Sequence, residues 1–242
     1  MSFKSCKIIF MAITSISVLF FNSFAISADK VVVIPLGASK EAVTNSYFEQ
    51  TRVVENLEDW NTNYSGSDAT YTQTGTTSTV SLSGNVTGDA DINFVKNFPD
   101  AKGMIGTMNL TNINKGGGAG FGMYIGMLGD NHIHANINFS EWDGDIRIRY
   151  KLRLRDSGNN NVETLAWGYV PANTLVGQDV KIGFVKIENA AHFYINGNLL
   201  FKWQPTEIIA PREWTSVWYW EWVDQDVSSS VSATFKDISI IK

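Results

Sequence analysis

Side chains able to do chemistry crowd into the stretch from His132 to Arg155. Glu141 and Asp143 stand two positions apart, with Asp145 beyond them, and carboxyls held close together are the usual equipment for general acid and base work. His132 and His134 share that spacing. On a strand both imidazoles project from one face, and with Asp130 they form a candidate metal or proton-transfer set. Arg147, Arg149, Lys151, Arg153 and Arg155 then alternate with apolar residues. Like charges in line repel, and arginine clamps carboxylate or sulfate through paired hydrogen bonds, so the stripe calls either for acids of the protein, such as Asp130, Glu163 or Glu188, or for an anionic ligand. Further along, "EWTSVWYWEW" puts Trp218, Trp220 and Trp222 on one strand face and Val217, Tyr219 and Val223 on the other. The indole row is either core or a platform for sugar rings.

These residues need strands to position them, and the chain supplies strand signals almost throughout. Short runs rich in Val, Ile, Thr and aromatics are separated by Gly, Asn, Asp and Ser clusters, the pattern of an antiparallel sandwich. Only "SKEAVTNSYFEQTRVVENLEDW" leaves room for a helical turn or two. The glycine-rich "NKGGGAGFG" lacks the Gly-Lys-Ser/Thr ending of a phosphate loop and reads as a flexible connection. Asn196-Gly197 and Asp143-Gly144 each suit a two-residue type I′ hairpin turn. The first predicts pairing of Ile195 with Asn198, Tyr194 with Leu199 and Phe193 with Leu200. The second predicts Trp142 opposite Asp145, then Phe139 with Ile148 and Ile137 with Tyr150 on an apolar face. Its other face pairs Asn138 with Arg149, Asn136 with Lys151, His134 with Arg153 and His132 with Arg155. A slip of one residue would send every side chain to the wrong face, so this agreement specifies the register.

The ends and composition set the class. Lys4 and Lys7, an apolar run from Ile8 to Phe21, and small residues up to Ala28 have the layout of a secretory signal peptide over residues 1–28. An extended leader over 29–50 and a single domain over 51–242 are expected to follow, in a protein exported to the periplasm or the cell exterior. Removing residues 1–28 takes the formal charge from −5 to −7, which argues against a nucleic-acid binder. The remaining chain has no run long enough to span a membrane. The only cysteine, Cys6, falls in the signal segment, so no thiol chemistry or disulfide is expected in the mature chain.

The order "FPDAKGMIGTMNLTNI", "GFGMYIGML", the hairpin with its basic stripe, "GQDVKIGFVKIENAAHFYINGNLLFKW" and a closing "SATFKDISIIK" resembles the concanavalin A-like lectin/glucanase superfamily, including its laminin-G-like members. The resemblance implies an all-β jelly roll of two curved antiparallel sheets, with sugar on the concave face or its rim. It also brings chemistry. Laminarinase-like hydrolases of that superfamily use Glu-x-Asp-x-Glu on a strand, with two carboxyls about 5–5.5 Å apart. Glu141 and Asp143 match, but the third position does not, and the hairpin register puts Asp143 in a turn. Uronate lyases of the superfamily use a histidine, of which His134 is the candidate, but their Tyr-x-Lys motif is missing here. A closing strand that gives an aspartate to structural calcium matches at Asp237 alone.

The expectation is therefore a non-catalytic carbohydrate-binding protein, with acidic or sulfated polysaccharide as the expected ligand class. His132, His134, Asn136, Arg149, Lys151, Arg153, Trp218, Trp220 and Trp222 are its candidate contacts. A hydrolase or uronate lyase working through Glu141, Asp143 or His134 is the alternative, and an adhesive surface module a further one.

Overall fold

A computed structural model describes residues 53–65, 69–84, 90–224 and 228–242, together with the backbone of Val31–Val33. The signal segment and nearly all of the leader lie outside the described residues. The described strands are β1 (Val31–Val33), β2 (Asn61–Ser65), β3 (Ala69–Thr74), β4 (Thr77–Ser83), β5 (Ala90–Pro99), β6 (Gly103–Asn114), β7 (Gly117–Leu128), β8 (Asn131–Trp142), β9 (Asp145–Arg155), β10 (Asn161–Pro171), β11 (Asp179–Ile187), β12 (Ala190–Ile195), β13 (Asn198–Trp203), β14 (Trp214–Val223) and β15 (Ser230–Ile241). One sheet runs β1-β13-β12-β11-β6-β15-β4-β3 and the other β10-β9-β8-β7-β14-β5-β2, with antiparallel neighbours throughout. The sheets stack as a jelly-roll sandwich. The helical turn expected before Trp60 is a short 3-10 turn at Leu57–Asp59, capped by the Asn56 side chain.

Strand alternation fixes what lies between the sheets. From β8 and β9, Phe139, Ile137, Ala135, Ile148 and Leu152 point inward and are fully buried. From β14 it is Val217, Tyr219 and Val223 that enter the core, not the tryptophans. The Tyr219 ring stacks on Phe94 at 4.6 Å and meets Phe235 of the opposite sheet at 4.8 Å, while Tyr150 stacks on Phe201 at 4.8 Å. Each such aromatic contributes about 1.5–3 kcal/mol through burial, which is how a chain without disulfides can hold together.

The β8–β9 hairpin has the register that the alternation dictates, from His132 opposite Arg155 to Trp142 opposite Asp145. Its turn residues Asp143 and Gly144 have φ of 53° and 83°, the left-handed pair of a type I′ turn. Asn196 and Gly197 turn in the same way, at 50° and 79°. There Ile195 faces Asn198 and Tyr194 faces Leu199, but Phe193 faces Phe201 and not Leu200. A bulge after the first two pairs inserts an extra residue on β13, keeping Phe201 and Trp203 buried. The glycine-rich segment also differs from expectation. Only Lys115 and Gly116 form the connection, and Gly117 to Gly120 are already strand.

Candidate functional site

The polar side chains left over by this packing meet on the outer face of the seven-stranded sheet. The registers of β9, β8, β7 and β14 line up Arg147, Ser140, Gly118 and Trp222 in one rank across the sheet. The next rank holds Arg149, Asn138, Gly120 and Trp220, and the third Lys151, Asn136, Gly122 and Trp218. Each rank thus repeats a cation, a small polar side chain, a glycine and an indole. The face brings together all the candidate contacts named above.

The glycines explain how the indoles sit. A Cβ on Gly122 would lie 2.4 Å from the Trp218 ring, and one on Gly118 2.7 Å from that of Trp222. Both indoles therefore lean over the β7 backbone toward β8, in space that no side chain could share. Trp218 stacks on His134, with ring centroids 5.0 Å apart, and meets the edge of Tyr124 at 5.4 Å. Beyond them Arg212 lies over the Tyr124 ring at 4.6 Å.

His134 is 7% exposed, its Nδ1 has no hydrogen-bond partner, and its pKa is pushed down to about 3 by burial and then by Arg155, Arg153 and Lys151. His132 is lowered as well, by burial and by Arg212. Neither imidazole carries charge at neutral pH. A general base beneath Trp218 would have little access to a substrate proton. Among the described residues no group of three or more His, Cys, Asp or Glu is placed to hold a metal. Asp130 is exposed in the β7–β8 turn, and Asp237 is exposed at a bulge of β15 with φ of 55°.

The cations find few acids. Arg147 reaches Asp145 at 3.4 Å and covers the Tyr169 ring at 4.7 Å. Arg155 donates to the Asn159 backbone and side-chain oxygens, at 2.9 and 3.0 Å. Among the described residues Arg149, Lys151 and Arg153 pair with no carboxylate, and neither Asp130, Glu163 nor Glu188 reaches the stripe. Burial first, and the neighbouring guanidiniums second, bring the Lys151 pKa down to about 8. Arg149 and Arg153 are shifted in the same direction, chiefly by burial.

At one end of the face a cleft of about 610 Å³ opens between Arg149, Lys115, Ser140, Trp142, Trp222 and Asp224. The carboxylate of Glu141 borders it but is already engaged, accepting from the Gly116 and Gly144 amides at 2.5 Å each. It ties the β8–β9 turn to the β6–β7 turn. Asp143 occupies the turn itself and is exposed, so the structure does not set the two carboxyls side by side along a strand.

Sequence reasoning passed over the glycine column, although Gly118, Gly120 and Gly122 recur at the strand period of two. It also passed over Tyr124, which continues that period, and Arg212, which nothing local in the sequence links to the face. Glu221, on the inward side of β14 and fully buried, went unremarked too.

No protein-family model and no curated protein sequence matches the chain. Solved structures do. A prokaryotic β-1,3-1,4-glucanase (lichenase) from a mouse hindgut metagenome aligns with 78% of this chain and 98% of its own, at 10% identity and a TM-score of 0.55. The Bacillus licheniformis β-glucanase aligns over 79% and 98%, at 13% identity and 0.53. A Bacteroides ovatus GH16 protein of a mixed-linkage glucan locus, solved with its G4G4G3G product, aligns over 78% and 97%, at 13% identity and 0.53. The fold is thus a concanavalin A-like jelly roll.

Proposed function

We propose that this is a non-catalytic carbohydrate-binding protein whose outer seven-stranded face holds an acidic polysaccharide. The observation that carries the reading is the coexistence, on one face, of an indole row with Arg149, Lys151 and Arg153, which no carboxylate among the described residues neutralises. Indoles stack on the apolar faces of sugar rings, and guanidinium groups pair with carboxylate or sulfate. Like-charged side chains half-buried side by side cost stability, and an anionic ligand would offset that cost. The glucan named with one of the similar structures supports a saccharide as the ligand class. Export through the amino-terminal segment belongs to the same proposal.

The test is a glycan array with the purified protein, with and without calcium, followed by retention on anionic and neutral polysaccharide gels. Binding to acidic glycans that weakens in Arg149→Ala combined with Arg153→Ala supports the reading. Silence across neutral and acidic glycans removes it in favour of an adhesive module. Catalysis is read in the same samples. Release of reducing ends that is lost in Glu141→Gln, or of unsaturated uronates that is lost in His134→Ala, would replace the binding role with hydrolysis or lyase chemistry.

A further inference from the structure

The ranks say more than that the face is cationic. Strand geometry spaces them about 6.8 Å apart along the strand axis. The wall toward β9 is cationic in all of them, and the wall toward β14 is aromatic in all of them. Trp218 and Trp222 lean toward β8 because glycines lie beneath them, and Arg149 borders the same cleft as Trp222, so the walls approach each other over β8. Asn138 and Ser140 at the floor are only 6% and 4% exposed, which leaves guanidinium and indole surfaces for a ligand to rest on. One end of this seam is stopped by the Tyr124, His132 and Arg212 cluster, with rings of Tyr124 and His132 5.6 Å apart. The other end opens into the cleft beside Trp142.

A chain crossing the strands would meet a single cation in each rank and would run on to Trp167 and Tyr169 of the edge strand β10. It would leave the other cations of the stripe facing one another. A chain lying lengthwise, parallel to β8, meets Arg149 and Lys151 with Trp220 and Trp218 along its other flank, and then Arg153, which lies across His134 from Tyr124 where the seam is stopped.

Resting on the carbohydrate-binding reading above, we propose that the seam holds a linear anionic polysaccharide lengthwise, one charged group to each of Arg149, Lys151 and Arg153, and so requires at least three consecutive charged units. Recognition is then of the interior of a polymer and is strongly screened by salt. The anionic group is a carboxylate or a sulfate ester, and the probes below separate them.

The experiment titrates the full chain with oligouronates of two, four and six units, with dextran sulfate, and with neutral mixed-linkage glucan, at low and high salt. Affinity is expected to rise at least about ten-fold from the charged dimer to the tetramer. Arg149→Gln, Lys151→Gln and Arg153→Gln should each weaken the tetramer by about ten-fold, while Trp167→Ala leaves it unchanged. The neutralising variants should also melt higher than the parent without ligand, since each relieves repulsion, and this shows that they remain folded. Whether oligouronate or dextran sulfate binds more tightly identifies the anion. A dimer as tight as the tetramer, or a loss in Trp167→Ala equal to that in Lys151→Gln, overturns the lengthwise arrangement but keeps carbohydrate binding. Neutral glucan bound equally by the parent and the Gln variants overturns the anionic part alone. No binding to any saccharide overturns both.

Discussion

Two side chains sit where their chemistry is costly. Glu221 projects from β14 into the sandwich, fully buried, and neither carboxyl oxygen has a hydrogen-bond partner of good geometry. Burial pushes its pKa well above the carboxylate range, only partly offset by the Ala233 backbone. The folded protein therefore holds a proton that the unfolded chain has lost, and stability falls as pH rises above the ordinary carboxylate value. Glu221→Met should raise the melting temperature at pH 7, and the gain should widen between pH 5 and pH 8. A gain independent of pH would contradict a buried neutral acid. His134 works in the opposite direction. Its folded pKa of about 3 lies below the usual 6.5, so its contribution is present above pH 6.5 and is lost as pH falls toward 3. The loss is on the order of 3 kcal/mol at pH 4. His192, lowered to about 4, adds in the same sense. Urea titrations of the parent and of His134→Gln at pH 7 and 4.5 should show the variant losing less, and parallel losses would dismiss the assignment. Strand parity made Glu221 legible once the tryptophans were assigned outward, because it alternates with them alongside Tyr219 and Val223. The depth of its burial was not legible, since that depends on what the other sheet places above it.

Among the elements, the β8–β9 hairpin was the most legible, because a Asp-Gly turn and strict alternation agree on one register. The β12–β13 hairpin was legible for only two pairs. Its bulge answers to the seating of Phe201 and Trp203 in the core, which lies outside the hairpin. Strand β2 was missed, because "NTNYS" lacks the β-branched apolar residues that mark a strand and pairs with β5 through its backbone. The start of β7 was misread for the opposite reason. Its glycines are there to let indoles and the neighbouring strand come close, and composition alone cannot distinguish that from a loop. Gly122→Ala tests the point. The added Cβ would displace the Trp218 ring, with an expected loss of about 1–3 kcal/mol and a red shift in tryptophan emission. Unchanged emission would mean that the ring does not lie on that strand.

At the scale of the whole molecule the two sheets depend on distant segments of sequence. Strand β15 lies between β6 and β4, so deleting residues 230–241 should strip β3 and β4 from their sheet and expose Phe121, whose ring meets Phe235 at 5.5 Å. Loss of near-ultraviolet circular dichroism in the truncated chain is the expected outcome, and a retained signal would show that the remaining strands stand alone. The face of indoles and cations is further removed, since no β15 residue lies in the seven-stranded sheet. It was legible as two separate rows, one cationic and one aromatic. What brings them to one face is the insertion of β14 between β7 and β5, a long-range pairing that no local pattern records. The central place of β15 also bears on timing. Strands β6 and β4 meet only through Ser230–Ile241, so the larger sheet is completed by the last of the described strands to leave the ribosome, and its two halves wait unpaired for that strand.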